Sequence, residues 1–389
     1  MNISDIQLNL SPFSAENRQH PRAFITVAVT MEVGDNIIRG TECRNISMGG
    51  MFVFTDQKIP MGASGTVTLT KRCGDKRYSF SADFTVTRVE QAAPRGPGIG
   101  IYFKHLGETD SRSLKNIVDF HLSLMIKEKL NIRPEVVDGF TFKLAQTRDE
   151  LEQAFRIVHD SYVAEGYMEP RPSGMRLTLY NSLPQAATFI GVKDGQVVMA
   201  TTLYPDSFLG LPMDSIYEQD LKPLRDSGRF LAEVGAFAAH PDHRDTNPTL
   251  PLHIQKALYR YATEYLAIDD MVITINPKHR LYYQYLVLCD LVGEEKLYDF
   301  VNGARAVAMH NDLRTLPDRL ARMYDGRPAN KDLHDFFIRR TCDSIGLPAE
   351  KKPAAVWTRE LIGYFFEEKT DIFAKADKKV VRFIKTLYV

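Results

Sequence analysis

The stretch RFLAEVGAFAAHPDHR, residues 229–244, sets one carboxylate, Glu233, inside an apolar run that predicts a strand leaving for a loop at His240 and Pro241. A carboxylate in such a place must be paired, protonated or functional, because burying an uncompensated charge is costly. Arg229 lies four residues earlier, on the same face of a strand, and offers one pairing.

The segments on either side set the class of this region. Upstream, FTFKLA (140–145) predicts a strand and RDELEQAFRIVHDSYVAEG (148–166) a helix. AATFIGVKDGQVVMATTLYP (186–205) predicts a hairpin turning at Asp194-Gly195. Downstream, LPLHIQKALYRYATEYLAI (250–268) predicts a long helix, DMVITINP (270–277) a strand, and KHRLYYQYLVLCDLVG (278–293) a short helix. This alternation indicates a mixed α/β sheet with helices on its faces.

The N-terminal part has a different period. In FITVAVTM (24–31), Ile25, Val27, Val29 and Met31 share one face. GTVTLTK (65–71), YSFSADFTVTRVE (78–90) and GPGIGIYF (96–103) continue the pattern, with KRCGDKR (71–77) as a turn. Short strands without long helical insertions predict a small antiparallel barrel, whose closure removes edge strands. TDSRSLKNIVDFHLSLMIKEKL (109–130) then switches to helical period, with Thr109 or Asp110 as a possible cap. The expected domains are 16–127, a linker at 128–139, 140–312, and a helical C-terminal extension at 313–389.

Composition narrows the function classes. The 389 residues carry 49 Lys plus Arg against 49 Asp plus Glu, so no net field draws the chain to a nucleic acid polymer. Apolar runs are broken by charges well short of a membrane span, and the N-terminus lacks the pattern of a secretory signal. Cys43, Cys73, Cys289 and Cys342 have no metal-type spacing and fit a reducing cytoplasm, the expected location. In the tail, Val380, Val381, Ile384 and Leu387 share a face while Lys378, Lys379, Arg382 and Lys385 are basic. Such a segment either docks on its own domain or lies on a membrane surface, here peripheral to the inner membrane.

Two short motifs stand near the barrel. RQHPR (18–22) places Arg18 and Arg22 around Pro21, and guanidinium forks fit phosphate oxygens and stack on flat rings. In NISMGG (45–50), Asn45 and Ser47 can bond a backbone or a base, while Gly49 and Gly50 permit a tight turn. In combination, in order and in spacing, these stretches and the closing GPGIGIYF resemble the PilZ family, small β-barrel receptors for the bacterial second messenger cyclic di-GMP. The resemblance covers roughly residues 16–127. It implies a six-stranded-type antiparallel barrel and a nucleotide site made by Arg18, Arg22, Asn45, Ser47 and Gly50.

The order of elements after the linker resembles the N-acyltransferase superfold, the GNAT fold. Within it, residues 140–312 look most like N-acyl amino acid synthases, relatives of the autoinducer synthases that make acyl-homoserine lactones. The resemblance implies that AEVGAFAA and DMVITI splay apart, with an acyl-phosphopantetheine arm in the gap. It implies Glu233 as the group that positions or deprotonates the amine of an amino acid substrate, with backbone N–H groups around Phe237 to Ala239 on the thioester. Arg229 would contact the substrate carboxylate or fix Glu233, and His279 and Tyr283 would touch the leaving group or carboxylate. His243 and Arg244 would meet the pantetheine phosphate. The loop HRDTNPTLP (243–251) has no Gly, unlike the pyrophosphate loop of coenzyme A acetyltransferases, which favours acyl carrier protein as donor. The function expected is a cyclic di-GMP-regulated N-acyltransferase. The alternatives are a non-catalytic cyclic di-GMP signalling adaptor and a coenzyme A-dependent acetyltransferase.

Overall fold

The computed structural model describes residues 20–91, 96–132, 137–244 and 249–388. The chain divides into two compact units, one ending at Lys129 and the other beginning at Leu130.

In the first unit, β1 (Ala23–Val33), β2 (Asn36–Ser47), β3 (Gly50–Phe54), β4 (Ser64–Cys73), β5 (Lys76–Glu90) and β6 (Gly98–His105) form a closed barrel in the order β1-β2-β3-β6-β5-β4. Every ladder is antiparallel, and β1 with β4 completes the ring. This is the expected architecture. Alternation delivers Ile25, Val29, Met31, Met51, Val53, Val67, Leu69 and Phe84 to the interior. Val27 is only half-buried, because β1 shifts register against β2 between Phe24 and Val27. Helix α1 (Glu108–Lys129) follows and buries Leu114, Ile117, Val118 and Leu122. It starts before both candidate caps, and Asp110 instead accepts a bond from the Ser81 backbone N–H at 2.9 Å.

The second unit is built on a nine-stranded mixed sheet. Its first elements are β7 (Phe140–Leu144), α2 (Arg148–Ala164), β8 (Ala187–Lys193), β9 (Gln196–Pro205), α3 (Asp214–Asp226) and β10 (Leu231–Ala239). The single turn α4 (Pro241–Arg244), α5 (Leu250–Glu264), β11 (Asp270–Ile275), α6 (Arg280–Tyr285), β12 (Asp290–Leu291), β13 (Lys296–Tyr298), β14 (Ala304–Asp312) and α7 (Leu316–Tyr324) come next. Strand β15 (Ile345–Gly346) and helices α8 (Arg359–Gly363), α9 (Ile372–Lys375) and α10 (Lys378–Thr386) complete it. The order is β12-β14-β11-β10-β9-β8-β7-β15, with β13 on β14. Among the described residues, β10 with β11 and β7 with β15 are the parallel pairs. Thr147 opens α2 with a capping box: its hydroxyl accepts from the Glu150 N–H, and the Glu150 carboxylate accepts from the Thr147 N–H. Asp194 (φ 50°) and Gly195 (φ 77°) form the β8–β9 turn, with both backbones left-handed as a tight hairpin demands.

The C-terminal segment completes this core. Trp357, Phe365, Phe366, Phe373 and Ile384 pack with Phe155 and Val158 of α2, and the Trp357 indole N–H donates to the Ala186 carbonyl at 3.3 Å. Ile384 is fully buried, with Val380 and Val381 packed beside it, so α10 docks on its own domain along that face. Leu387 leaves the shared stripe and is exposed, as is Phe383. No helix among the described residues is long and apolar enough to cross a membrane.

Candidate functional site

Two groups of sequence-predicted residues come together, one in each unit. In the barrel, Phe24 of β1 faces Asn45 of β2, and Ser47 faces Gly50 across the β2–β3 turn. The Arg22 guanidinium donates to the Asn45 side-chain oxygen at 3.1 Å, which ties the basic motif to the turn motif. Arg18 lies outside the described residues. Ser47 is buried and spends its hydroxyl on the turn: it donates to the Gly50 carbonyl at 3.2 Å and accepts from the Gly49 N–H at 3.3 Å. Gly50 has a steric reason. A Cβ there would lie 2.1 Å from the Ile101 carbonyl oxygen. Tyr102, paired with Gly50 across the β3–β6 ladder, is exposed, as is Phe24. The face thus combines a guanidinium, an amide and two flat rings, a set suited to phosphates and bases.

In the second unit the parallel ladder between β10 and β11 runs from Leu231 opposite Asp270 to Val234 opposite Ile273, and there it stops. β10 continues to Ala239, so the two strands part beyond Val234, the residue after Glu233. On its other edge β10 shifts register against β9 between Gly235 and Ala238. Ala236 adopts φ 52°, a left-handed backbone that costs a residue with a Cβ about 1–3 kcal/mol. Ala236 and Phe237 therefore sit in a bulge, opposite no residue of either neighbouring strand.

A cavity of about 220 Å³ opens at this parting, with mostly apolar walls from β10, β11, α5 and α6. Glu233, Gly235, Ala236 and Phe237 line it, as do His279 and Tyr283. Glu233 is 4% exposed. Its Oε2 accepts from the Met213 backbone N–H at 2.7 Å. Burial pushes its carboxyl up to about 8, with the Asp214 charge adding to the rise; the Met213 N–H and the Arg176 charge oppose it. Burial, with the charge of Lys278, holds the His279 imidazole down to about 3, so it is neutral. Burial also keeps the Tyr283 hydroxyl well above its ordinary value. Both rings can only exchange hydrogen bonds as neutral groups. Glu233 alone of the three titrates near neutrality, where a general base works best.

The structure does not bring Arg229 to Glu233. Arg229 precedes β10, and its guanidinium is held by Asp270 and by Asp312 at 2.7 Å, so it clamps the starts of β10 and β11 to the end of β14. Those aspartates are 41 and 83 residues away, a relation that local spacing does not carry. Ala239 sits in the ladder opposite Met199 and does not line the cavity. His243 lies on α4 with its ring edge-on to Phe140 at 5.9 Å, also away from the cavity wall. The Arg244 side chain lies outside the described residues. Sequence reasoning missed Arg176, which lines the cavity from the connection between α2 and β8, its guanidinium 4.2 Å above the Tyr162 ring. No periodicity or motif marks it.

Two segments of the chain match families of known proteins. The family model of the PilZ domain matches residues 16–120, and that of the N-acyl amino acid synthase FeeM matches residues 153–312. No curated protein matches the chain. Among solved structures, FeeM, an N-acyl amino acid synthase from uncultured soil microbes, is 29% identical over 48% of this chain and 98% of its own, with a TM-score of 0.43. The coenzyme A-dependent acyl-homoserine lactone synthase BjaI is 17% identical over 54% of this chain and 94% of its own, with a TM-score of 0.38. The PilZ domain of YcgR from Escherichia coli, solved with cyclic di-GMP, is 17% identical over 29% of this chain and 97% of its own, with a TM-score of 0.25. The chain thus joins a segment matching the PilZ domain to one matching the N-acyl amino acid synthases.

Proposed function

We propose that the second unit is an N-acyltransferase that moves a fatty acyl group from a thioester to the amino group of an amino acid. The observation that carries this reading is Glu233: a buried carboxyl, raised to about 8, on the wall of a cavity that begins where β10 and β11 part. The match to the synthase family model supports the same reaction class.

The chemistry follows from the residues. The Glu233 carboxylate takes a proton from the substrate ammonium, directly or through a water, and the freed amine attacks the thioester carbonyl carbon. The bulge at Ala236 and Phe237 is suited to present backbone N–H groups to the oxygen on which charge develops. The C–S bond then breaks, the nitrogen gives up its second proton to become the neutral amide, and the leaving thiolate takes that proton to depart as a thiol. His279 and Tyr283, both neutral, would orient the reactants by hydrogen bonds.

Acyl carrier protein is the proposed donor, because the Gly-free loop 243–251 offers a poor cradle for a pyrophosphate and a phosphopantetheine arm carries a single phosphate. Arg22, Asn45, Ser47 and Gly50, with Arg18, are the proposed cyclic di-GMP site, supported by the Arg22–Asn45 bond and the PilZ match. Nucleotide binding there would regulate acyl transfer. The basic outer residues of α10 and exposed Phe383 and Leu387 suit a transient contact with an anionic membrane surface. The test is N-acylation of an amino acid panel by the purified chain with matched long-chain acyl donors. A higher kcat/KM with acyl carrier protein than with coenzyme A supports the donor assignment. Equal or better use of acyl coenzyme A refutes it, and no transfer from either donor removes the reaction.

A further inference from the structure

We infer that Arg176 receives the carboxylate of the amino acid acceptor and so sets the preference for the acid over its decarboxylated amine. The inference rests on the acyl-transfer reading of the same cavity.

Among the described residues, two guanidiniums reach the cavity wall, and they differ in kind. Arg305 has a largely exposed side chain and is paired with Glu295 at 2.6 Å. Arg176 is half-buried, and among the described residues its guanidinium makes no ion pair. A cation partly withdrawn from water without a carboxylate partner is a costly arrangement, and it becomes favourable when a ligand supplies the anion. Instead of a counter-ion, Arg176 has packing. Its guanidinium carbon lies over the Tyr162 ring, 4.2 Å from its centre, and Tyr162 is braced edge-on by Tyr167 with ring centres 5.7 Å apart. Its backbone N–H donates to the Phe155 carbonyl at 3.0 Å, which fixes the loop to α2. Among the described residues its guanidinium N–H groups make no hydrogen bond to a protein side chain or carbonyl, so they can serve a bidentate contact with a carboxylate.

The partner groups are in the same cavity. The Arg176 charge is felt at Glu233, whose carboxyl it draws down against burial. An α-amino acid carries its ammonium and carboxylate on a single carbon, so its acceptor site needs a base and a cation close together and oppositely directed. Glu233 and Arg176 both line this cavity, and among the described residues no Lys lines it to compete for the anion.

The experiment compares the full chain with its Arg176→Met and Arg176→Lys variants. Each is given an amino acid, its amide and its decarboxylated amine as acceptors, and calorimetry measures binding of the amino acid without turnover. Wild type should prefer the acid over the amine by at least about 10-fold in kcat/KM, the scale of a charged hydrogen-bonded contact. Arg176→Met should erase that preference, mainly through KM for the acid, with the melting temperature unchanged. Arg176→Lys should recover part of it. Equal acid-to-amine preference in wild type and Arg176→Met overturns the inference, as does unchanged amino acid binding in that variant. Amino acid binding that depends on Arg176, in a chain that acylates nothing, would leave this assignment standing and remove the acyl-transfer reading instead.

Discussion

The backbone N–H of Met213 donates to Glu233 Oε2 at 2.7 Å, and among the described residues it is the one hydrogen bond of that buried carboxyl on the cavity wall. One donor does not offset the loss of water, and burial leaves the carboxyl at about 8 against an ordinary value of 4.5.

That shift makes stability depend on pH with a definite sign. The native state holds a proton that the unfolded chain releases above about pH 4.5. The stabilisation is therefore complete below that pH, declines as pH rises, and is lost by about pH 8. The slope is about 1.4 kcal/mol per pH unit, or roughly 5 kcal/mol over the window. Glu233→Gln keeps an acceptor for Met213 and has no such dependence. Its unfolding free energy should gain on wild type steadily from pH 5 to pH 8, by several kcal/mol, in denaturant titrations. Parallel curves would mean that Glu233 titrates normally.

The same carboxyl should appear in the kinetics. With saturating substrates, wild-type kcat should rise through a limb near pH 8 as Glu233 ionises. Glu233→Gln should lack that limb and lose roughly 10²- to 10⁴-fold in rate, the usual contribution of an acid–base group. A folded variant with wild-type kcat at pH 7 and pH 9 would make Glu233 structural.

For the barrel, the bond between Arg22 and Asn45 predicts coupled losses. Calorimetry with the full chain should show saturable cyclic di-GMP binding, weakened about 10-fold or more by Arg22→Ala, as expected when a charged hydrogen bond goes. Asn45→Ala should weaken it less, and the double variant should lose less than the two single losses combined. Undiminished binding in Arg22→Ala would detach the basic motif from the ligand.

Gly50 carries a purely steric prediction. A Cβ only 2.1 Å from the Ile101 carbonyl oxygen forces β3 from β6, so Gly50→Ala should destabilise the barrel by about 1–3 kcal/mol. Thermal unfolding followed by circular dichroism measures it, and an unchanged transition would contradict the packing described for this turn.

What could be read from sequence was local. Alternation in β4 and β5, the helical stripe of α1 and the Asp194-Gly195 turn announce themselves over a few residues. β2, with Arg, Glu and Gly in NIIRGTECRNIS, has no clean alternation; ladders to β1 and β3 make it a strand. Glu233 was legible as a charge out of place. Its partner was not, because Met213 reaches it from the connection before α3, 20 residues away. Arg229 satisfies Asp270 and Asp312, which its own strand does not display, and Arg176 comes from a connection with no periodicity. The tail reads as an amphipathic appendage, yet Trp357, Phe365 and Phe366 prove to be core residues once α2 supplies the other side.

The most direct test of the account is mass spectrometry of the lipids in cells expressing the intact chain, set beside cells expressing Glu233→Gln at equal folded level. The account predicts a family of ions at the masses of amino acids joined by an amide bond to fatty acyl chains, present with wild type and reduced at least about 100-fold with the variant. Wild-type cells without such ions would contradict it, and so would equal amounts from both.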